Sequence, residues 1–125
     1  MAKNFRVYWK NANLSVGLPT TGAGSAAGDP VVNKGIVGIN LWGTGAGEGI
    51  PAGSTYGMVA VDGTPVVSVN VVTTAVTEND PIYITSAHAL TNVASGNTLF
   101  GYADEPGAVG AATKLGVKIK SQVNA

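Results

Sequence analysis

The clearest strand in the chain lies at residues 114–121, which read KLGVKIKS. Apolar and basic side chains alternate along it, with Leu115, Val117 and Ile119 on one face and Lys114, Lys118 and Lys120 on the other. A period of two residues is typical of a strand with one buried and one solvated face. This stretch therefore predicts a β-strand that packs its apolar face into a core.

The same period recurs upstream, in short runs separated by glycine, proline, asparagine and aspartate. Residues 66–72, VVSVNVV, alternate in this way, and so do residues 5–10, FRVYWK. Further apolar runs lie at residues 31–41, 56–61, 82–84 and 98–103. Only residues 108–112 could form a turn of helix. We predict an all-β fold, with seven to nine short strands in a small single-domain barrel or sandwich.

The connecting segments predict the organisation of the chain. Residues 11–30 are rich in small and polar side chains, which favours a long loop or an extended arm. We therefore divide the chain into an N-terminal strand and arm at residues 1–27 and a barrel-like domain at residues 28–125. Asp62-Gly63 suits a two-residue hairpin turn, although Pro65 restricts the strand that follows. Asp-Pro precedes a predicted strand twice, at residues 29–30 and 80–81, which hints at a duplicated β unit.

The composition excludes several classes of protein. The chain has 125 residues, of which 18 are glycine and none is cysteine, so disulfides and thiolate metal sites are excluded. Seven basic residues balance seven acidic ones, which argues against a free-standing nucleic-acid binder. No apolar run approaches the roughly 20 residues of a membrane span. A neutral surface of this kind fits either partner-covered faces or a monomer rich in small neutral residues.

The charges are distributed unevenly along the chain. All seven acids lie between Asp29 and Glu105, where Lys34 is the only base, so both ends are basic and the middle is acidic. If the first and last strands were neighbours, their outer faces would form one basic stripe. Such a stripe could dock an acidic partner, or it could consist of solvated strand faces in which lysine guards an edge against aggregation.

The side chains that could perform catalysis are few. His88 is the only histidine, and Ser86 lies two residues away without the nucleophile-elbow pattern of a hydrolase. The carboxylate pairs Glu78/Asp80 and Asp104/Glu105 lie beside prolines, where turn formation explains them better than acid–base catalysis. We therefore expect a protein that is not an enzyme and has no cofactor or metal site.

Three blocks of sequence resemble a known family. Residues 28–39, GDPVVNKGIVGI, are similar to its N-terminal GDPV block, and residues 114–119 look like its closing strand. The more specific block is its GDPVYWD…KLT…GNTLVGYA segment, which residues 79–83 (NDPIY), 89–91 (ALT) and 95–103 (SGNTLFGYA) resemble in order and spacing. On these residues the chain resembles the DUF2190 family of tailed-phage head proteins, the capsid cement or decoration proteins.

The resemblance implies a β-tulip-like decoration protein on the outer surface of a virion, made in the host cytoplasm. Its expected partners are the phage major capsid protein and itself, as a homotrimer, with no nucleic acid and no membrane. The segment before residue 28 departs from shorter family members and is expected to be an arm that adds a strand to a capsid subunit or neighbouring protomer.

From this we predict three groups of contact residues. The arm residues expected to bind the capsid are Phe5, Arg6, Tyr8, Trp9 and Lys10. A weaker capsid-binding set comprises Lys114, Lys118 and Lys120. The trimer interface is expected around Trp42, Ile50 and Tyr56. A virion-surface module that binds carbohydrate or the host through exposed aromatics remains the alternative, and a small hydrolase using His88 is a distant third.

Overall fold

The computed structural model describes residues 15–20, 22–47 and 50–120. In these ranges the small single domain is all-β, as predicted, and it has nine strands. They are β1 (Ser15–Pro19), β2 (Pro30–Asn33), β3 (Ile36–Asn40), β4 (Tyr56–Ala60), β5 (Val66–Val71), β6 (Pro81–Ile84), β7 (Leu90–Thr91), β8 (Thr98–Ala103) and β9 (Gly110–Ile119).

The strands form two sheets. The first sheet has the order β1-β4-β3-β2, and all of its pairs are antiparallel. The second sheet has the order β5-β7-β6-β8-β9 and curls until β9 pairs with β5, which closes a small barrel. Only the short β5–β7 contact is parallel. The predicted barrel is thus present, with a four-stranded sheet beside it.

The barrel interior holds the main core. The alternation predicted for β5 and β9 is confirmed, because Val67, Val69 and Val71 and also Leu115, Val117 and Ile119 are buried there. Phe100 is the largest fully buried side chain. Val32, Val37 and Ile39 of the four-stranded sheet pack against this core. A second, smaller cluster consists of Leu18, Val31, Val59 and Val61.

Both Asp-Pro segments form the same turn. In each, the aspartate carboxylate accepts a hydrogen bond from the backbone N–H three residues earlier: Ala26 to Asp29 at 3.0 Å and Thr77 to Asp80 at 2.8 Å. The residue before the aspartate has a positive φ, 89° at Gly28 and 71° at Asn79. The next strand begins at the proline, as predicted, because proline fixes φ and disfavours helix in the residue before it.

This equivalence extends through both sheets. Gly28 N donates to Asn40 O and Asn40 N to Asp29 O, while Asn79 N donates to Ala103 O and Ala103 N to Asp80 O. Strands β1, β2, β3 and β4 therefore correspond in pairing to β5, β6, β8 and β9. The duplicated unit suggested by the sequence is present in the architecture, and the second copy carries β7 and its loops as an extra segment between β6 and β8.

One glycine in each unit lets three strands approach closely. Gly38 pairs with Val31 on β2, and Gly101 pairs with Ile82 on β6. A Cβ at Gly38 would collide with the backbone carbonyl of Ala60, and one at Gly101 would collide with that of Lys118. These collisions explain why glycine occupies these positions in β3 and β8, each of which lies between two other strands of its unit.

Residues 11–30 were predicted to form a long loop or an extended arm, and the loop is wrong for Ser15–Pro19, which form β1 within the four-stranded sheet. Val16 and Leu18 alternate with Ser15 and Gly17, but the run is only five residues long and ends in proline, so the local pattern marks it only weakly as a strand. Pairing of its whole length with β4 and burial of Leu18 stabilise the strand instead. Tertiary contacts here override local preference.

The predicted hairpin at Asp62-Gly63 is also wrong. β4 and β5, on either side of it, belong to different sheets. The segment between them runs beside β9, since Ile119 N donates to Gly63 O and Val117 N to Pro65 O, both at 3.0 Å. Pro65 has no N–H for a hairpin ladder, but its carbonyl serves in this crossover.

Residues 108–112 do not form a helical turn, because β9 begins at Gly110. The β5–β9 ladder shifts register between Val69 and Val71, and Ala112 has a positive φ of 59°. The bulge is formed by the small residues, glycine and alanine, that made this stretch look irregular in sequence.

Candidate functional site

Three exposed or half-buried apolar side chains lie at one end of the four-stranded sheet. Trp42 follows the end of β3 and is 51% exposed, while Tyr56 begins β4 and is 47% exposed. Beyond the paired Asn40 and Val59, Leu41 N donates to Met58 O and Gly45 N to Tyr56 O, so the segment after β3 runs beside the start of β4. Ile50, from the connection between them, is half-buried near Gly17 of β1. We call Trp42, Ile50 and Tyr56 the aromatic end of the sheet.

The backbone of Gly47 supports the side chain of Trp42. A Cβ at Gly47 would collide with the six-membered ring of Trp42, so the indole lies directly against the backbone of Gly47. Gly47 also has a φ of 97°, which favours glycine for a second reason. The glycine-rich segment 43–47 therefore supports the tryptophan on one side.

Buried hydrogen bonds hold the connection that carries these residues. Asn40 is fully buried; its Nδ2 donates to Gly24 O at 3.0 Å, and its Oδ1 accepts from Gly43 N at 2.8 Å. One side chain thus joins the loop before β2 to the loop after β3. A buried amide of this kind is stabilising only while its partners are present.

The hydroxyl groups of Thr20 and Thr44 hold the same loop against the residue that follows β1. The Oγ1 atoms of Thr20 and Thr44 lie 2.6 Å apart, and Thr44 Oγ1 also donates to Thr20 O at 2.8 Å. Gly57 makes room for the group, since a Cβ there would lie 2.6 Å from Thr20 Oγ1. Sequence reasoning missed Thr20, Asn40 and Thr44, because nothing in a local pattern separates a buried polar residue from a loop residue.

The three predicted lysines, two on β9 and Lys120 just after it, have different surroundings. Lys118 Nζ donates to Asn79 Oδ1 at 2.6 Å and lies 3.9 Å from Asp104 Oδ1. Lys114 is exposed opposite Ser68, and Lys120 is half-buried. Glu105 lies between these lysines on the outer face, where its Oε2 accepts from Gly116 N at 2.7 Å. The outer face of β9 therefore mixes both signs of charge.

His88 takes part in a contact between the barrel and the four-stranded sheet. Its Nδ1 lies 3.3 Å from Pro30 O, and a Cβ at Gly24 would lie 2.6 Å from the same nitrogen. The residue has a φ of 65° in a turn closed by His88 N donating to Thr85 O. Ser86 is exposed on that turn. His88 thus packs between the barrel and the four-stranded sheet. This packing explains its position without a nucleophile–base pair.

Of the two carboxylate pairs, Asp80 has the predicted turn role, whereas Glu105 bonds to β9 and Asp104 lies 3.9 Å from Lys118 Nζ. Asp80 accepts from Thr77 N, and Glu105 accepts from Gly116 N. Among the side chains of residues 15–20, 22–47 and 50–120, no three His, Asp or Glu residues are grouped as metal ligands would be. In the same ranges, no helix has the length and apolar character needed to cross a membrane.

A small cleft lies between the sheets. Its volume is about 230 Å³, and its walls include Ile39 and Leu41 from one side and Pro65 and Ile119 from the other. Ligand pockets usually have volumes of about 300–1,000 Å³ and enclose most of a ligand. The cleft is smaller than this and half-open, so it does not favour a small-molecule site.

The predicted capsid-binding arm, Phe5, Arg6, Tyr8, Trp9 and Lys10, lies outside the described residues. The structure brings the predicted interface residues Trp42, Ile50 and Tyr56 to one end of one sheet, while Lys114, Lys118 and Lys120 lie on the barrel.

Comparison of the chain with protein-family profiles, curated proteins and solved structures found no match in any of the three. The family resemblance stays a prediction.

Proposed function

We propose that this protein is a capsid decoration protein that binds the outer surface of a tailed-phage head and bridges major capsid subunits. The observation that carries the proposal is the aromatic end: Trp42 and Tyr56 are about half exposed on a connection held by buried hydrogen bonds. Tryptophan and tyrosine are the side chains most enriched at energetically dominant positions of protein interfaces. Rigid support lowers the entropy cost of using them.

The proposed mechanism is thermodynamic linkage. A protein that binds the assembled lattice and not separate subunits stabilises the lattice in proportion to its free concentration and affinity. A homotrimer that contacts several capsid subunits at once converts weak individual contacts into high avidity. Neither step requires a cofactor or a reacting side chain, which fits a chain with a single histidine already packed against Pro30.

The direct test measures binding to heads. Purified protein is incubated with expanded, decoration-free heads of the phage that encodes it, and bound copies are counted after sedimentation. We expect saturable binding and a higher disruption temperature for the decorated heads. Light scattering should give a solution mass three times the 12.5 kDa of the chain. An absence of binding to heads in either the expanded or the unexpanded form would overturn the proposal.

Replacing Trp42 by alanine tests the aromatic end. Truncating a central aromatic anchor costs about 2 kcal/mol or more of binding free energy, so we expect head affinity to fall about 30-fold. Val109→Ala is the matched control, because Val109 is similarly exposed but lies at the start of β9, away from the aromatic end. Equal affinities of the two variants in the sedimentation assay would show that Trp42 is not a contact residue.

Deleting residues 2–10 tests the predicted arm. We expect the truncated protein to keep its fold and its trimeric mass but to lose binding to heads, because the deletion removes the basic and aromatic residues of that segment. Circular dichroism and light scattering check the fold and the mass, and sedimentation checks the binding. Unchanged occupancy of heads would contradict a role for the arm in capsid binding.

The second candidate is a virion-surface module that binds carbohydrate. The observation that favours it is the packing of Trp42 against Gly47. An indole with one side against Gly47 leaves its other face available for stacking on a sugar. A glycan-array signal that Trp42→Ala abolishes, together with no affinity for heads, would favour this candidate over the first.

A further inference from the structure

The first β unit, which comprises β1 to β4, has an outer face that the second unit covers. Val32 and Val37 form a cross-strand pair, and side-chain alternation places them on the opposite face from Val31, which belongs to the smaller buried cluster. Together with Ile39 they pack against the core of the barrel, and Val37 is only 1% exposed. The chain therefore shows what buries the outer face of one unit, namely the unit that follows it.

The second unit, which comprises β5 to β9, has an equivalent outer face. The ladders of β2 with β3 and of β6 with β8 align three positions: Val32 with Tyr83, Val37 with Leu99 and Ile39 with Tyr102. The second ladder skips Phe100, whose side chain lies in the core, so Leu99 takes the position of Val37. Apolar or aromatic side chains thus occupy the same positions in both units. We call Tyr83, Leu99 and Tyr102 the tyrosine face.

The tyrosine face has no third unit to cover it within residues 15–20, 22–47 and 50–120, since these ranges contain two β units. All three of its side chains are half-buried, and Tyr102 pairs with Lys118 at its border. Tyrosine is among the side chains most enriched in protein interfaces, because its ring gives a large contact area and its hydroxyl group tolerates water. A protein surface therefore fits this sheet face.

The barrel meets the outer face of the first unit with one of its ends. The cleft between the sheets has Ile39 on one wall and Pro65 and Ile119 on the other. Pro65 lies just before β5, and Ile119 is the last residue of β9. The end of the barrel at which β5 begins and β9 ends therefore faces the first unit.

The first unit has an equivalent end, at which β1 begins and β4 ends. Val59 in β4 and Val117 in β9 occupy equivalent ladder positions. Val16 pairs with Val59, while Pro65 O accepts a hydrogen bond from Val117 N, so Val16 corresponds to Pro65. Val16 is an apolar side chain that is 36% exposed. This end of the first unit, which we call the β1 end, therefore has apolar surface where the barrel has its contact with Ile39.

We propose that the tyrosine face packs against the β1 end of a second copy of this chain. The contact repeats between copies the one that the two units make within a copy, with Tyr102 in the place of Ile39 and Val16 in the place of Pro65. It joins two different surfaces, so it is heterologous and either closes into a ring or continues as a filament. A ring of three copies has the trimeric mass expected under the proposed function, but the contact itself does not depend on capsid binding.

Engineered cysteines test the contact directly, because the chain has no cysteine of its own. The single variants Tyr102→Cys and Val16→Cys are unfolded, mixed, refolded together and treated with a short bismaleimide. We expect the mixed dimer, identified by mass spectrometry, to exceed each dimer of identical chains at least about tenfold, since the contact raises the effective concentration of the two thiols.

A mixture of Tyr102→Cys with Val109→Cys is the matched control for the cross-linking. Val109 is 54% exposed and lies just before β9, whereas the partner of Tyr102, Lys118, lies near the other end of that strand. A yield from Tyr102→Cys and Val16→Cys no higher than that of the control, or equal yields of mixed and identical pairs, would overturn the proposal.

A charge on the tyrosine face tests the contact without cysteines. Tyr83→Lys should raise the concentration at which the assembly dissociates by about 30-fold or more, since a charge replaces an aromatic side chain inside the contact. Val66→Lys is the control, because Val66 is 70% exposed on β5, which pairs with β7 and β9 and not with β6 or β8. Light scattering over a range of concentrations gives both values, and circular dichroism checks that both variants fold.

Two results of the light scattering would overturn the contact: equal dissociation of the two variants, or a wild type that stays monomeric at every concentration. If Tyr83→Lys does not fold, the cross-linking yields decide. Both experiments use isolated protein, so the sedimentation assay with heads tests the proposed function separately.

Discussion

Replacing Gly101 by alanine is expected to lower the free energy of unfolding by about 3 kcal/mol and the melting temperature by about 10 °C. Gly101 lies in β8 between β6 and β9, and the added methyl group would collide with the backbone carbonyl of Lys118. A backbone atom in a closed barrel has no rotamer through which to move away. Relief therefore requires β8 and β9 to separate, next to the buried side chains of Phe100 and Ile119.

Gly35→Ala is the matched control for this substitution. Gly35 lies in the turn between β2 and β3, and a Cβ there has open space around it. Urea unfolding of both variants should leave Gly35→Ala within about 0.5 kcal/mol of the wild type. Equal stability of the two variants would mean that the barrel does not need the close approach of β8 to β9.

Asn40→Ala is expected to cost about 3 kcal/mol of stability, although it removes no apolar contact of the main core. The substitution leaves the carbonyl of Gly24 and the N–H of Gly43 without their partner, and each such buried group costs about 1–3 kcal/mol. The loops on either side of the aromatic end also lose the bond that joins them. We therefore expect weaker binding to heads, together with faster hydrogen exchange at Gly43.

Asn70→Ala is the control for this second variant, since Asn70 is exposed on the outer face of β5. Its unfolding free energy should change by no more than about 0.5 kcal/mol, and its affinity for heads should stay at the wild-type value. If Asn40→Ala unfolds at the same urea concentration as Asn70→Ala, the buried amide does not stabilise these loops.

Local pattern predicted the strands whose side chains alternate strongly. Strands β5 and β9 have three buried aliphatic side chains each at a period of two, and the Asp-Pro turns fix where β2 and β6 begin. β1 was not predicted because its run of five residues is short, ends in proline and depends on β4 for its hydrogen bonds. The Asp62-Gly63 link was misread because a local turn signal does not specify which sheet the next strand joins.

The candidate site was predicted only in part, because the side chains that support it are held by contacts between residues distant in sequence. Trp42 and Tyr56 were identifiable as rare aromatics near glycine-rich sequence, and the structure places both at one end of a sheet. The side chains that hold them, Thr20, Asn40 and Thr44, are polar residues whose burial depends on contacts across 16 to 24 positions of sequence. Lys118 was predicted as a weaker capsid-binding residue, and in the structure its ammonium group donates to Asn79 Oδ1 and lies 3.9 Å from Asp104 Oδ1.

The equivalence of the two β units has a consequence for protein engineering. Strands β6 and β8 correspond to β2 and β3, but the second unit accommodates residues 85–97 where the first has only Lys34-Gly35. The molecule thus carries its own example of a long insertion between these two strands, with β7 folded back against β5 and β6. The exposed Lys34-Gly35 tip is therefore a suitable place to display a foreign peptide, since lengthening a surface loop costs little closure entropy.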